Sequence, residues 1–195
     1  MASRTEDLRY QKNQNAIVGA FLKLLTKKPL HRITVKELAA LAQINRNTFY
    51  LHYSGIGELY ADVKDYLLQQ IPDSPPGPEI PTPKEMSNYV SRLIETVEKD
   101  RKIYAILFNN TDTRDFEDDL KDTLFKSWMK TVIECLDPGQ ETLENASLRL
   151  DFIKTGIIGI FRSWMREHPD VSAETISTII SDMYAFGWAQ IKVWE

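Results

Sequence analysis

Between Asn45 and Tyr53 the chain reads NRNTFYLHY, a run that crowds base-reading side chains around a single aromatic anchor. Arg46 offers a planar fork that matches the two acceptors on a guanine edge, and Asn47 can pair donor and acceptor together with adenine. Thr48 and Tyr50 can reach a phosphate or a thymine methyl, and Lys36, a little upstream, can add a secondary contact. Other chemistries lack their residues. His31, His52 and His168 stand far apart and outside any H-x-x-x-H or H-E-x-x-H frame, and Cys135 is the one cysteine, so no metal-site spacing arises. There is no G-x-S-x-G, no phosphate-cradling glycine loop and no G-x-G-x-x-G, so neither a nucleophile nor a bound cofactor is expected. The acidic run DFEDDLKD at 115–122 reads as a solvated helix face. Expected here are no catalytic residue, no cofactor and no metal.

Two helix starts position the polar run. Thr34 can cap a first helix with Glu37 completing a capping box, while Ile33 and Leu38 form a hydrophobic staple. Asn45 can cap a second, stapled by Ile44 and Phe49. The few residues between them force a sharp turn, which makes a helix-turn-helix whose second helix can enter a major groove. Ahead of it, Ile17, Ala20, Phe21, Leu24 and Leu25 follow the helical period, and Lys27-Lys28-Pro29 marks that helix's end. The first ten or so residues are polar and read as a mobile arm, in which Arg4 and Arg9 could touch DNA. Charge divides to match. Residues 1–56 hold nine Lys and Arg against three acids, a balance of +6, and the whole chain carries −4, so the remainder carries −10. A basic head on an acidic body suits a protein whose head alone meets phosphate.

On TVKELA at 34–39, the run from Asn45 to Tyr53, and GELY at 57–60, the chain resembles the TetR family of bacterial transcription regulators. The IIGIFRSWM run adds a weaker likeness to a C-terminal domain type frequent in regulators of Gram-positive bacteria, some of which act with partner proteins. The resemblance implies DNA contacts from Thr34, Lys36, Asn45, Arg46, Asn47, Thr48, Tyr50, His52 and Tyr53. Arg46 and Asn47 would be the principal base readers, and Thr34, Thr48, His52 and Tyr53 would hold phosphates. A packing role for Tyr53 between helices stands as its alternative. The chain departs from the family at Gln43, where a small residue usually fills the turn, and at Ile56, near the place of a phosphate-holding Lys. Backbone N–H groups left unshielded by Gly55 and Gly57 could replace that Lys.

The expected fold is all-α, with about nine helices in all. A helix-turn-helix DNA-binding domain would occupy residues 1–56, a connecting helix 57–71, a Pro-rich linker 72–83, and an effector-binding and dimerisation domain 84–195. The linker holds six of the nine prolines. Beyond it the pattern is helical to the end, and the last two helices, at 142–167 and 172–194, are apolar on two faces and therefore buried on two sides. The resemblance pairs them with those of a second subunit, making a homodimer on a palindromic double-stranded operator. Tyr89, Tyr104, Phe108, Phe125, Trp128, Phe152, Phe161 and Trp164 could surround a small-molecule effector, or fill an ordinary core. A single cysteine fits a reducing cytoplasm, the N-terminus carries no secretory signal, and no apolar run is long enough to span a bilayer. The reading is a repressor released by its effector; its alternative is a co-regulator or activator that takes its signal from a partner protein and has no ligand pocket.

Overall fold

A computed structural model describes residues 2–73, 82–135 and 143–188. The regular elements among these residues are all helices, with no strand among them. The chain divides into two compact units, residues 1–69 with 106–116, and residues 70–105 with 117–195.

The first unit opens with α1 (Ala2–Leu25), α2 (Val35–Leu41), α3 (Arg46–Tyr50) and α4 (Ile56–Gln69). Helix α1 starts at Ala2, so the stretch read as a mobile arm is helical. Its polar opening turns carry no apolar period, the signal by which sequence announces a packed helix. Ile17, Ala20, Phe21 and Leu25 of α1, Leu38 and Ala39 of α2, Phe49 of α3, and Leu59, Val63 and Leu67 of α4 form the core of this unit. Helix α2 packs on both α1 and α3.

Residues 106–116, placed beyond the linker by the sequence reading, belong to this first unit. Polar side chains fasten them there. The Asn110 amide donates to the carbonyls of Leu25 (3.0 Å), the last residue of α1, and Lys28 (3.2 Å), in the turn beyond it. Asp112 accepts from the backbone N–H of His31 and from its ring nitrogen Nδ1, and Asp115 accepts from Tyr60 Oη (2.7 Å) and Lys64 Nζ (2.9 Å) on α4. Phe108 meets Phe116 edge to face.

The second unit holds α5 (Pro83–Lys99), α8 (Leu143–Arg166) and α9 (Ala173–Trp188), while α6 (Arg101–Asn109) and α7 (Arg114–Cys135) each cross from one unit to the other. Helix α5 starts inside the Pro-rich linker's last residues. Thr82 and Glu85 form a capping box and Pro83 takes the first helical position, where a missing N–H costs nothing. The rest of that linker, 74–81, lies outside the described residues, as do Ile191 and Trp194. Helices α5 and α9 pack along their lengths around Met86, Tyr89, Val90, Leu93, Ile176, Ile180 and Tyr184.

Candidate nucleic-acid interface

The turn that sets the recognition helix uses a strained residue. Gln43 adopts φ 57°, the left-handed region that costs a residue with a side chain about 1–2 kcal/mol. The chain there leaves α2 through Ala42, and the backbone N–H of Ile44 returns to the Ala39 carbonyl (3.0 Å). Both expected caps are present. Thr34 Oγ1 accepts from the backbone N–H of Glu37 while Glu37 answers the N–H of Thr34, and Asn45 Oδ1 accepts from the Thr48 N–H at 2.6 Å. Lys28 Nζ also donates to Glu37 (2.6 Å). That bond, followed by the one from Thr34, holds the Glu37 carboxyl below its ordinary pKa.

Helix α3 sorts its side chains as a reading head requires. Phe49 is fully buried, whereas Arg46 and Asn47 are exposed, Thr48 half-buried and Tyr50 56% exposed. Lys36 and Thr34 on α2 are exposed as well. The Thr34 hydroxyl donates to Glu37 Oε2 (2.8 Å), so its proton is already engaged. At the start of α4 the Ser54 N–H is taken by Glu58 Oε2 (2.6 Å), which closes part of the backbone expected to replace the family lysine.

Tyr53, which could hold a phosphate or pack between helices, is buried in this structure. It is 5% exposed, and its hydroxyl donates to Asp62 Oδ2 on α4 (2.7 Å) and accepts from Gln14 Nε2 on α1 (3.2 Å). A buried hydroxyl with both roles engaged has nothing left to give a phosphate. Burial first, then the Asp62 bond, push its pKa upward. His52 is different. It is half-buried and its ring rests on Tyr10 of α1 with centroids 4.0 Å apart. Burial lowers its pKa below the ordinary value of 6.5, which keeps it neutral at pH 7. Tyr10, Gln14 and Asp62 carry no sequence signal for these tasks, since each depends on where α1 and α4 cross.

Residues 84–185, just over half of the chain, match a TetR-type family described as a transcriptional regulator C-terminal region. The chain belongs to the TetR family of transcriptional regulators. Solved structures share its fold. A TetR transcriptional regulator from Streptococcus agalactiae 2603V is 19% identical with a TM-score of 0.63, over 93% of this chain and 98% of that one. NalD, the secondary repressor of the MexAB-OprM multidrug efflux pump in Pseudomonas aeruginosa, is 18% identical with a TM-score of 0.67, over 91% and 97%. DhaS, a dihydroxyacetone kinase operon activator, is 21% identical with a TM-score of 0.54, over 92% and 96%. A comparison with curated proteins returns no match.

The eight aromatic residues that could surround an effector or fill an ordinary core differ in their burial in this TetR-family chain. Tyr89, Tyr104, Phe125, Phe161 and Trp164 are buried within the second unit, whereas Phe108 belongs to the first. Phe152 is 81% exposed, so it faces outward and lines no interior of the protomer. The Trp128 side chain lies outside the described part of the structure. Trp164 spends its polar atom on the core, its indole Nε1 donating to the Val171 carbonyl (2.8 Å), and the Arg101 guanidinium lies over its ring at 4.5 Å. Burial pushes the Tyr89 hydroxyl up to about 12. Among the described residues, no His, Cys, Asp and Glu group together as three or more metal ligands, and no helix is long and apolar enough to cross a membrane.

Proposed function

We propose that this TetR-family regulator is a repressor that binds a palindromic DNA operator as a homodimer and leaves it when a small molecule occupies the C-terminal unit. One observation carries the reading: α3 buries Phe49 completely while Arg46, Asn47 and Tyr50 project from the same short, capped helix. Arg46 and Asn47 read bases, Tyr50 and Lys36 add secondary contacts, and Thr48 and His52 take phosphates. Residues 1–56 act as the DNA-binding domain, joined by the helix at 57–71 to an effector and dimer domain at 84–195, with 106–116 fastened to the head. Dimerisation runs through α8 and α9, where Leu148, Phe152, Ile179 and Met183 are exposed on one protomer. An effector acts by population shift, favouring a dimer whose heads do not fit successive major grooves.

A second reading makes the protein an activator or co-regulator driven by a partner protein. It is favoured by the burial of Trp164, whose indole N–H is taken by the Val171 carbonyl and whose ring lies under Arg101, and DhaS shares this fold as an operon activator. Selection from a random duplex library at two salt concentrations tests the first reading. An enriched palindrome whose affinity falls steeply with salt is the expected result; a library with no enrichment turns the assignment to the partner-driven reading.

A further inference from the structure

Tyr10 has no part in the reading of α3, yet the fold sets it against the residue just beyond that helix. Its ring lies 4.0 Å from the His52 imidazole, centroid to centroid, tilted by 31°. Of the two ring nitrogens of His52, Nδ1 is the one sealed from solvent without a partner. A neutral imidazole carries one N–H donor and one bare acceptor, and the neighbours decide which nitrogen has the proton. A buried N–H with no acceptor is rarer and costlier than a buried lone pair, so the proton belongs on Nε2. The other tautomer would turn the Nε2 lone pair toward any ligand and repel an anion.

We propose that Tyr10 is a positioning residue for DNA binding: its ring covers Nδ1 of His52 and so holds the imidazole as the Nε2–H tautomer, a neutral donor for a backbone phosphate. The phosphate contact rests on the proposed function; the tautomer does not. Tyr10 acts through its ring face, and its hydroxyl is not needed.

Two measurements test this. In protein labelled with 15N at histidine, the couplings of the His52 ring report the tautomer without DNA. Wild type and Tyr10→Phe should show Nε2–H, and Tyr10→Ala should move toward a mixture. An Nδ1–H pattern in wild type, or an unchanged pattern in Tyr10→Ala, overturns the proposal. Binding to the selected operator, or to a mixed-sequence duplex pool if none is selected, supplies a double-mutant cycle. Tyr10→Ala and His52→Ala should each weaken binding by about tenfold, Tyr10→Phe should not, and the double variant should be no weaker than His52→Ala. If Tyr10→Ala costs the same factor again in the His52→Ala background, Tyr10 acts through helix packing and the proposal falls. A wild type that binds no duplex defeats the proposed function instead, and the 15N arm then decides the role of Tyr10 by itself.

Discussion

Gln43 sits at the hinge of the reading head with a backbone that glycine would accept more easily. Its left-handed φ of 57° costs about 1–2 kcal/mol, and glycine would recover most of that while losing about 0.5–1 kcal/mol to its looser unfolded chain. Gln43→Gly should therefore raise the urea midpoint slightly, by about 0.5 kcal/mol of stability, and Gln43→Val should lower it, since a branched side chain tolerates that region least. A valine variant as stable as wild type would mean the turn relaxes. Arg46→Ala, on the exposed side of α3, should cost about 1–3 kcal/mol of operator affinity and relax one base position; an unaltered base preference in a repeated selection would remove Arg46 from the reading set. His52 gives a pH dependence whose sign follows from burial. Its folded pKa lies below 6.5, so the unfolded chain takes the proton first and folding loses stability as pH drops through 6.5 toward the folded value. Above 6.5 its contribution is complete. His52→Asn should flatten that segment of the stability curve, measured as the difference between variant and wild-type midpoints. At this scale the sequence exposed residue types but not partners. Phe49 was legible as an anchor because it alone is large and apolar in its helix. For Tyr53 both packing and phosphate contact stayed open, because its packing partners Gln14 and Asp62 come from helices whose crossing no local pattern states.

Elements were easier to read where a local rule ends them. Thr34 with Glu37, and Asn45 with the Thr48 N–H, cap α2 and α3 as their types and spacing require. The start of α1 escaped detection because a polar helix shows no period to the eye, and the start of α5 because Pro83 reads as a breaker until Thr82 is seen as its cap. The docking of residues 106–116 on the head was hidden for another reason. It is made by side chains reaching backbone carbonyls far away in sequence, and asparagines are common enough that Asn110 carries no such signal. Asn110 holds two carbonyls at the end of α1, and its Oδ1 also accepts from the Asp112 N–H (3.1 Å). Asn110→Ala should lower stability by about 1–3 kcal/mol, the cost of leaving part-buried groups unsatisfied. Amide exchange would locate the loss: faster exchange confined to 25–32 and 106–116 is expected, and uniform acceleration over both units would mean that the segment is no separate fastening.

For the molecule as a whole, the question is what covers the outer faces of α8 and α9. On α8, Leu148, Phe152, Gly156 and Gly159 recur at helical spacing and all are exposed, with Phe152 at 81%. On α9, Ile179 and Met183 lie one turn apart, Met183 at 64%. Large apolar side chains grouped this way are uncommon on a surface that stays in water. Both glycines have open space around the position a Cβ would take, so the protomer itself does not need them small, whereas a second helix laid along this stripe would. A repressor of palindromic DNA also needs two heads held together, since linking two binding events can raise affinity by about 10²–10⁴-fold without new contacts. Phe152→Glu combined with Met183→Glu places unpaired charges in that stripe, a burial too costly to sustain the contact. Wild type should run in solution at twice the chain mass of 22.5 kDa and the double variant at the single mass, with the helical circular dichroism of both alike. Operator affinity should fall by at least about 10²-fold in the variant, while its residual binding to half an operator stays close to that of wild type. If the variant remains a dimer, the pairing surface lies elsewhere on the chain and the stripe serves a different partner. If it becomes monomeric yet keeps full affinity for the whole palindrome, the heads bind independently and the geometric route from effector to operator loses its basis.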